Sequence, residues 1–278
     1  MKKNIFYQAD NLRKKALWVW QETLAIHLRA PETRLASSLS PIEIFVALYY
    51  GGVIKFNPSE PLDEKRDRCI ISKGHGSICM YPILADLGFF PLQELQRVCQ
   101  KGSFLGGIPD PVIPGYETVN GSLGHGLPLG VGMALAAKMR KQNQRIVVVT
   151  GDGEINEGSI WEAALSAAKH KLDNLIVMID YNKMQSYGRT KDVINLEPLH
   201  QKWESFGFQV QEVDGHDIRM METVLKKTDY TNNKPNAIIC HTIKGKGFPF
   251  AESNPSWHHK SSMSEADMKA MKDCISKE

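Results

Sequence analysis

The chain has 278 residues, 42% of them hydrophobic and 23% charged, with 34 Lys and Arg against 31 Asp and Glu for a formal charge of +3. That length can bury the core of one generous α/β domain, and the mixed charge excludes a nucleic-acid-binding face or a polybasic membrane patch. Cys69, Cys79, Cys99, Cys240 and Cys274 are odd in number and form no Cys-x-x-Cys pair, which suits buried or incidental thiols in a reducing cytoplasm.

In chain order, residues 9–30 read as an amphipathic helix. Its apolar stretch Ala16-Leu17-Trp18-Val19-Trp20 is too short, and too closely flanked by charge, to span a membrane or form a cleavable signal. Residues 41–50 form a second predicted helix behind the N-cap candidate Ser40, residues 68–72 a strand, residues 76–87 a helix and residues 91–100 a short helix. The Gly- and Pro-rich stretch 102–124 reads as an irregular loop, long enough to suggest function. A helix over 125–140 carries Gly126, Gly130 and Gly132, but no strand leads into it, so a nicotinamide-cofactor site is rejected. Then come a strand over 145–150, a helix over 158–171, a strand over 174–180 and a polar loop over 183–191. A helix over 198–206, a strand over 208–213, a helix over 218–227 and a strand over 236–242 complete the alternation. Residues 264–278 read as a polar surface helix with a frayed end.

The chemistry concentrates where two of these strands end. Gly151-Asp152-Gly153-Glu154 follows one β-branched run, and Asn182 follows the next, so Asp152 and Asn182 fall at equivalent ends of two parallel strands. The glycines let backbone approach a bulky anion, while the carboxylate and the amide oxygen suit Mg2+ or Ca2+, which usually keep substrate phosphates among their ligands. In open α/β sheets the ligand crevice lies outside the carboxyl ends of the strands, and the helix that follows offers its N-terminal amides to a phosphate. Asp152 is expected on the solvent side of its strand end. The bland alternative, an ordinary Gly-Asp-Gly turn, is disfavoured by the strand, turn, helix, strand and Asn sequence around it.

With Asn182 thirty residues beyond Asp152, this segment resembles the thiamine diphosphate motif, and its surroundings resemble transketolase. The matching pieces are Ser37-Ser38-Leu39-Ser40, Ser72-Lys73-Gly74-His75-Gly76, Asn120-Gly121-Ser122-Leu123-Gly124, Val213-Asp214-Gly215-His216-Asp217, and Thr242-Ile243-Lys244-Gly245-Lys246-Gly247 with Trp257-His258. The resemblance implies a doubly wound, mostly parallel α/β sheet with helices on both faces, occupying 1–278 as a single diphosphate-binding domain. It further implies a pyrimidine-binding domain with the activating glutamate on a separate chain, in an α2β2 assembly active only with that partner. Thiamine diphosphate and Mg2+ would be held by His75, Gly121, Leu123, Gly151, Asp152, Gly153, Glu154, Asn182, Lys244 and His258, with a backbone carbonyl of Met184 on the metal. Without the resemblance, a loop histidine such as His75 reads as structural. Glu157 and Glu162 resemble the family's carboxylates at the subunit interface; read without it, they form a solvated helix face that compensates the helix dipole. Asp214-Gly215-His216 reads as a structural turn.

Two departures touch the substrate side. Arg34 stands where transketolases carry a histidine before Ser-Ser-Leu-Ser, and Ile108, in Gly106-Gly107-Ile108-Pro109, stands where they carry Gly-Gly-His-Pro. Isoleucine donates no hydrogen bond, whereas Arg34 can bind an anion bidentately. His125 replaces a common glutamine, and His259 follows His258 where glycine is usual. Three readings follow. The first is one component of a two-component enzyme moving a two-carbon unit from a ketose-type donor to an aldehyde or ketone. The second is a split thiamine diphosphate enzyme taking an acyl unit from a 2-oxo acid such as pyruvate. The third is a catalytically silent homologue with a binding or regulatory role.

Overall fold

The computed structural model describes residues 9–186, 188–258, 260 and 262–276. His259 therefore lies outside the described residues, as do the last two positions of the predicted C-terminal helix. The strands are β1 (Arg68–Ile71), β2 (Ile146–Gly151), β3 (Leu175–Tyr181), β4 (Met184–Gln185), β5 (Gly188–Arg189), β6 (Gln209–Asp214) and β7 (Asn236–His241). Five of them form one parallel sheet in the order β1-β2-β3-β7-β6, and β4 pairs with β5 as a small antiparallel hairpin. Every residue of β2 and β3 is buried. Continuous apolar runs of this kind are what a parallel sheet covered on both faces demands.

The helices are α1 (Ala9–Arg29), α2 (Leu35–Leu39), α3 (Ile42–Tyr50), α4 (Met80–Asp86), α5 (Gly126–Met139), α6 (Gly158–Lys169), α7 (Thr190–Val193), α8 (Leu199–Ser205), α9 (Ile218–Lys227) and α10 (Glu265–Ile275). Alternate strand side chains face opposite sides, so two cores form. Cys69, Val147, Val149, Ile176 and Met178 pack with α1, α3, α4, α9 and α10. Ile70, Ile146, Val148, Val177 and Ile179 pack with α5, α6 and α8. Right-handed crossovers explain the division. The chain steps in one direction from β1 through β2 and β3 towards β6, which places α5, α6 and α8 on one face. It then turns back from β6 to β7, so α9 falls on the other.

Several local expectations change. Ser40 does not cap α3: it ends α2, Pro41 precedes the first residue of α3, and the Ser40 hydroxyl donates to Asp180 at 2.6 Å. The helix predicted over 76–87 shortens to α4, because Gly74–Gly76 forms a 3-10 turn closed by the Ser77 hydroxyl on the Gly74 carbonyl. Residues 91–100 contain only the 3-10 turns of Leu92–Arg97. The polar loop over 183–191 holds the β4–β5 hairpin and the start of α7. Finally, α10 is capped by Ser264 and Asp267, and it buries Met271 against the core.

Candidate active site

Four adjacent strands deliver the site residues from their carboxyl ends: Ser72, Lys73 and His75 after β1, Asp152 after β2, Asp180 and Asn182 at the end of β3, and Thr242 and Lys244 after β7. Asp152 is only 2% exposed, which corrects the expectation of a solvent-side residue. One of its oxygens accepts from the Gly153 amide at 2.8 Å, and the other from the Lys183 amide at 2.6 Å and the Thr190 hydroxyl at 3.0 Å. Asn182 points its amide oxygen at the Met184 amide, 3.1 Å away, and donates to Asp180 at 3.3 Å. Asp152, Asn182 and Met184 thus share one small fold of chain. Among the described residues no three His, Cys, Asp or Glu side chains group as a metal cage, so a cation here would depend on backbone, amide and ligand oxygens.

A buried network underlies these residues. Asp180 ion-pairs with Lys73 and accepts from Ser40, Thr242 and Asn182. Burial alone would raise its carboxyl; Lys73 and the hydroxyls outweigh that and hold it below the ordinary value. Sequence reasoning missed Lys73, Asp180 and Thr242. The available signal was a carboxylate at the end of an otherwise apolar strand, which must be paired if buried.

Above the network, basic groups crowd together. Lys244 is 2% exposed and contacts His258 through Nδ1. The His258 ring lies 5.7 Å from that of His75, and its Nε2 is 3.3 Å from the Ser186 hydroxyl. Burial, then Lys73, pushes Lys244 down to about 7. Burial, then Lys73, Lys244 and His258, holds His75 well below its usual range. Asp152 is displaced the opposite way, to about 6, by burial and then by Asp180. These three shifts disfavour the charged form. A divalent cation beside Asp152 and a polyanion beside Lys244 and His75 would reverse all of them, so the donor set fits a metal diphosphate.

Other predicted residues take different places. Glu154 braces: its carboxylate accepts from the Ser72 hydroxyl, the Gly124 amide at 2.9 Å and the Gly151 amide at 3.1 Å. Burial raises its carboxyl, and those same three donors oppose the rise. Through this brace the loop bearing Gly121 and Leu123 is tied to the ends of β1 and β2. Gly124 has φ of +81°, and a Cβ there would come within 2.6 Å of the Ser159 hydroxyl, so only glycine lets the loop lie this close to α6. Gly121 is exposed beside Ile108, whose Cγ2 would be 3.7 Å from a Cβ on that glycine. Ile108 is 53% exposed. His125 is exposed, its Nδ1 3.0 Å from the Ser122 hydroxyl. Arg34 is half-buried in front of α2. Glu157, at the N-cap of α6, and Glu162 within it are both exposed.

Comparison with known proteins agrees with this architecture. Residues 36–277 match the family described as transketolase, thiamine diphosphate binding domain. The chain is 43% identical over 253 residues to one of the subunits of the apulose-4-phosphate transketolase of Actinobacillus succinogenes, covering 90% of this chain and 91% of that one. It is 40% identical over 226 residues to one of the subunits of the 6-deoxy-6-sulfo-D-fructose transketolase of a Clostridium species, covering 81% and 82%. A crystal structure of Pichia stipitis transketolase superposes with a TM-score of 0.86 at 26% identity, over 95% of this chain but only 41% of that one. Human transketolase is 33% identical over 225 residues, 36% of its length. Family match, relatives and sheet order together show that the chain belongs to the transketolase family, of which it carries the thiamine diphosphate-binding domain.

Proposed function

We propose that this chain is one component of a two-component transketolase-type enzyme, moving a two-carbon unit from a ketose-type donor to an aldehyde or ketone acceptor with thiamine diphosphate and Mg2+. The observation that carries the reading is the convergence of Asp152, Asn182, His75, Lys244 and His258 at the ends of four neighbouring strands, with ionisation held back in the pattern a metal diphosphate would relieve. In this reading Asp152, the Asn182 amide oxygen and the Met184 carbonyl hold the cation, for which Ca2+ is a second candidate. Lys244, His75 and His258 meet the diphosphate, and the backbone at Gly121 and Leu123 orients the pyrimidine. The bound cofactor supplies a nucleophilic thiazolium carbon; the chain binds, orients and neutralises it.

Two relatives are themselves named as subunits, which supports a second chain carrying the pyrimidine side and its glutamate. A pairing of two copies in an α2β2 assembly is supported by an exposed apolar strip on α5, where Leu129 and Met139 face outwards. The same relatives are named for sugars bearing a phosphate or a sulfonate, and we assign this enzyme a ketose with a comparable anionic end, with Arg34 as its contact. Five free cysteines suit a cytoplasmic location, and no described helix is long and apolar enough to cross a membrane.

Titration calorimetry of the complex reconstituted with its partner tests the cofactor reading. Thiamine diphosphate should bind only with Mg2+, and Asp152→Asn should weaken it at least about 100-fold, given that even outer-shell changes cost 10–100-fold. Unchanged affinity would sink the assignment. A second reading, acyl transfer from a 2-oxo acid, is favoured by Ile108, an apolar group at the position beside Gly121. An imidazole there could donate to a C1 hydroxyl; its loss costs on the order of 1–3 kcal/mol, roughly one to two decades in selectivity. Ile108→His should therefore shift relative kcat/KM from pyruvate towards hydroxypyruvate. An unmoved ratio removes the support for this second reading.

A further inference from the structure

On the helical side of the molecule, behind the segment that carries Lys244, lies a separate cavity of about 340 Å3. Its apolar walls come from Ala16, Leu17 and Trp20 of α1 and Ile218 at the start of α9, and Arg13 and Lys246 add positive charge. The remaining polar lining is a pair. His216 Nε2 accepts from the Ile243 amide at 2.8 Å, so its proton sits on Nδ1 and points at Glu43, 3.1 Å away. His216 is thereby neutral, and Glu43 leaves one negative charge against the two cations. Asp10, at 4.0 Å from Arg13, is closer to Arg219 at 2.9 Å.

Two lining residues grip the segment on either side of Lys244. Besides the His216 bond to Ile243, the Trp20 indole donates to the Lys246 carbonyl at 2.8 Å. Gly247, at φ of +81°, packs so tightly on the same ring that a Cβ would reach its Nε1 at 3.0 Å. A molecule in the cavity would touch both grips. Its volume lies at the small end of ligand sites, roughly 300–1,000 Å3, and apolar walls with a few placed polar groups are their usual lining.

We infer that this cavity binds a small apolar or aromatic molecule bearing one anionic group, and that occupancy alters the order of the segment around Lys244 through Trp20 and His216. The consequence for the cofactor rests on the proposed function, because Lys244 is the residue assigned there to the diphosphate. The cavity itself does not depend on it.

The probe is 8-anilinonaphthalene-1-sulfonate, titrated by fluorescence into the full chain. Saturable binding at one site is expected. Leu17 is 51% exposed, so Leu17→Glu should fold normally by circular dichroism yet lose at least tenfold in probe affinity. Hydrogen exchange should show the amides of residues 243–247 changing protection on saturation. In Trp20→Phe, which keeps an aromatic wall without the N–H donor, the probe should bind while the change at 246–247 shrinks. Equal probe affinity in Leu17→Glu, or unchanged exchange over 243–247 in the saturated wild type, overturns the inference. In the reconstituted complex, saturating probe should shift thiamine diphosphate affinity at least about fivefold. Absence of cofactor binding without probe would instead defeat the function reading and leave the fluorescence and exchange results standing.

Discussion

Asp152 holds structure and charge at once. Its two oxygens fix Gly153, Lys183 and Thr190, so alanine would unmake the turn as well as the proposed cation site. Asparagine keeps an acceptor while removing the charge, which is why it is the informative substitution. A second buried group, His27, sets a pH dependence of its own. Its Nδ1 meets Thr33, its Nε2 has no partner, and burial lowers it to about 3. The folded state therefore prefers the neutral ring, while the unfolded chain takes up a proton near 6.5. Stability from this group is complete above that value and is lost as pH falls towards 3, at about 1.4 kcal/mol per unit. Between pH 7 and 5 the wild type should lose about 2 kcal/mol that His27→Met does not. Urea denaturation at both values measures the difference, and equal losses would show that His27 titrates normally.

At the level of elements, the loop over 102–124 is irregular yet firmly held. Tyr81 donates to the Gly106 carbonyl at 2.7 Å, Tyr116 to the Ser77 carbonyl at 2.8 Å, and the Asn120 amide to the Pro109 carbonyl at 3.0 Å. Glu117 accepts from Arg66 through both oxygens and from Arg68 at 3.3 Å. The Arg66 and Glu117 side chains are only 7% and 5% exposed. Removing one partner of such a pair strands the other charge, so Glu117→Ala should cost about 3–5 kcal/mol in denaturant melts. A loss below about 1 kcal/mol would mean that the pair is solvated.

None of these anchors could be read from the sequence, because the loop has no periodicity and all but the Asn120 bond within it join it to residues far away in the chain. The strands were legible for the opposite reason. Their β-branched runs, such as Ile146 to Val149, carry burial in their own composition. Asp152 and Asn182 were found because strand ends place them side by side. Lys73 was not, since its partner Asp180 is fixed only once the sheet order exists. The late start of the helix expected over 76–87 had a local cause in the sequence, namely the glycines at 74 and 76.

For the whole molecule the decisive question is what covers α5. Its fourteen residues include one charge, Lys138, and a helix apolar on every side belongs in a buried position. Its inner face meets the sheet through Leu127, Val131 and Ala134. The outer one leaves Leu129 47% and Met139 77% exposed, with Leu165 of neighbouring α6 at 59%. Between the two α5 leucine and methionine ends, Gly132 and Ala136 are exposed and small, and a Cβ on Gly132 would meet nothing. A second copy related by a twofold axis presents the same strip in reverse, so the strip is self-complementary and the contact closes. Ala136→Glu places a charge in the middle of it and touches no core residue. In light scattering at micromolar concentration the wild type should have the mass of two copies, and Ala136→Glu the mass of one, with an unfolding midpoint changed only as loss of association requires. If both run with the same mass, α5 faces something other than its own copy, and the pairing proposed for the assembly has to use another face.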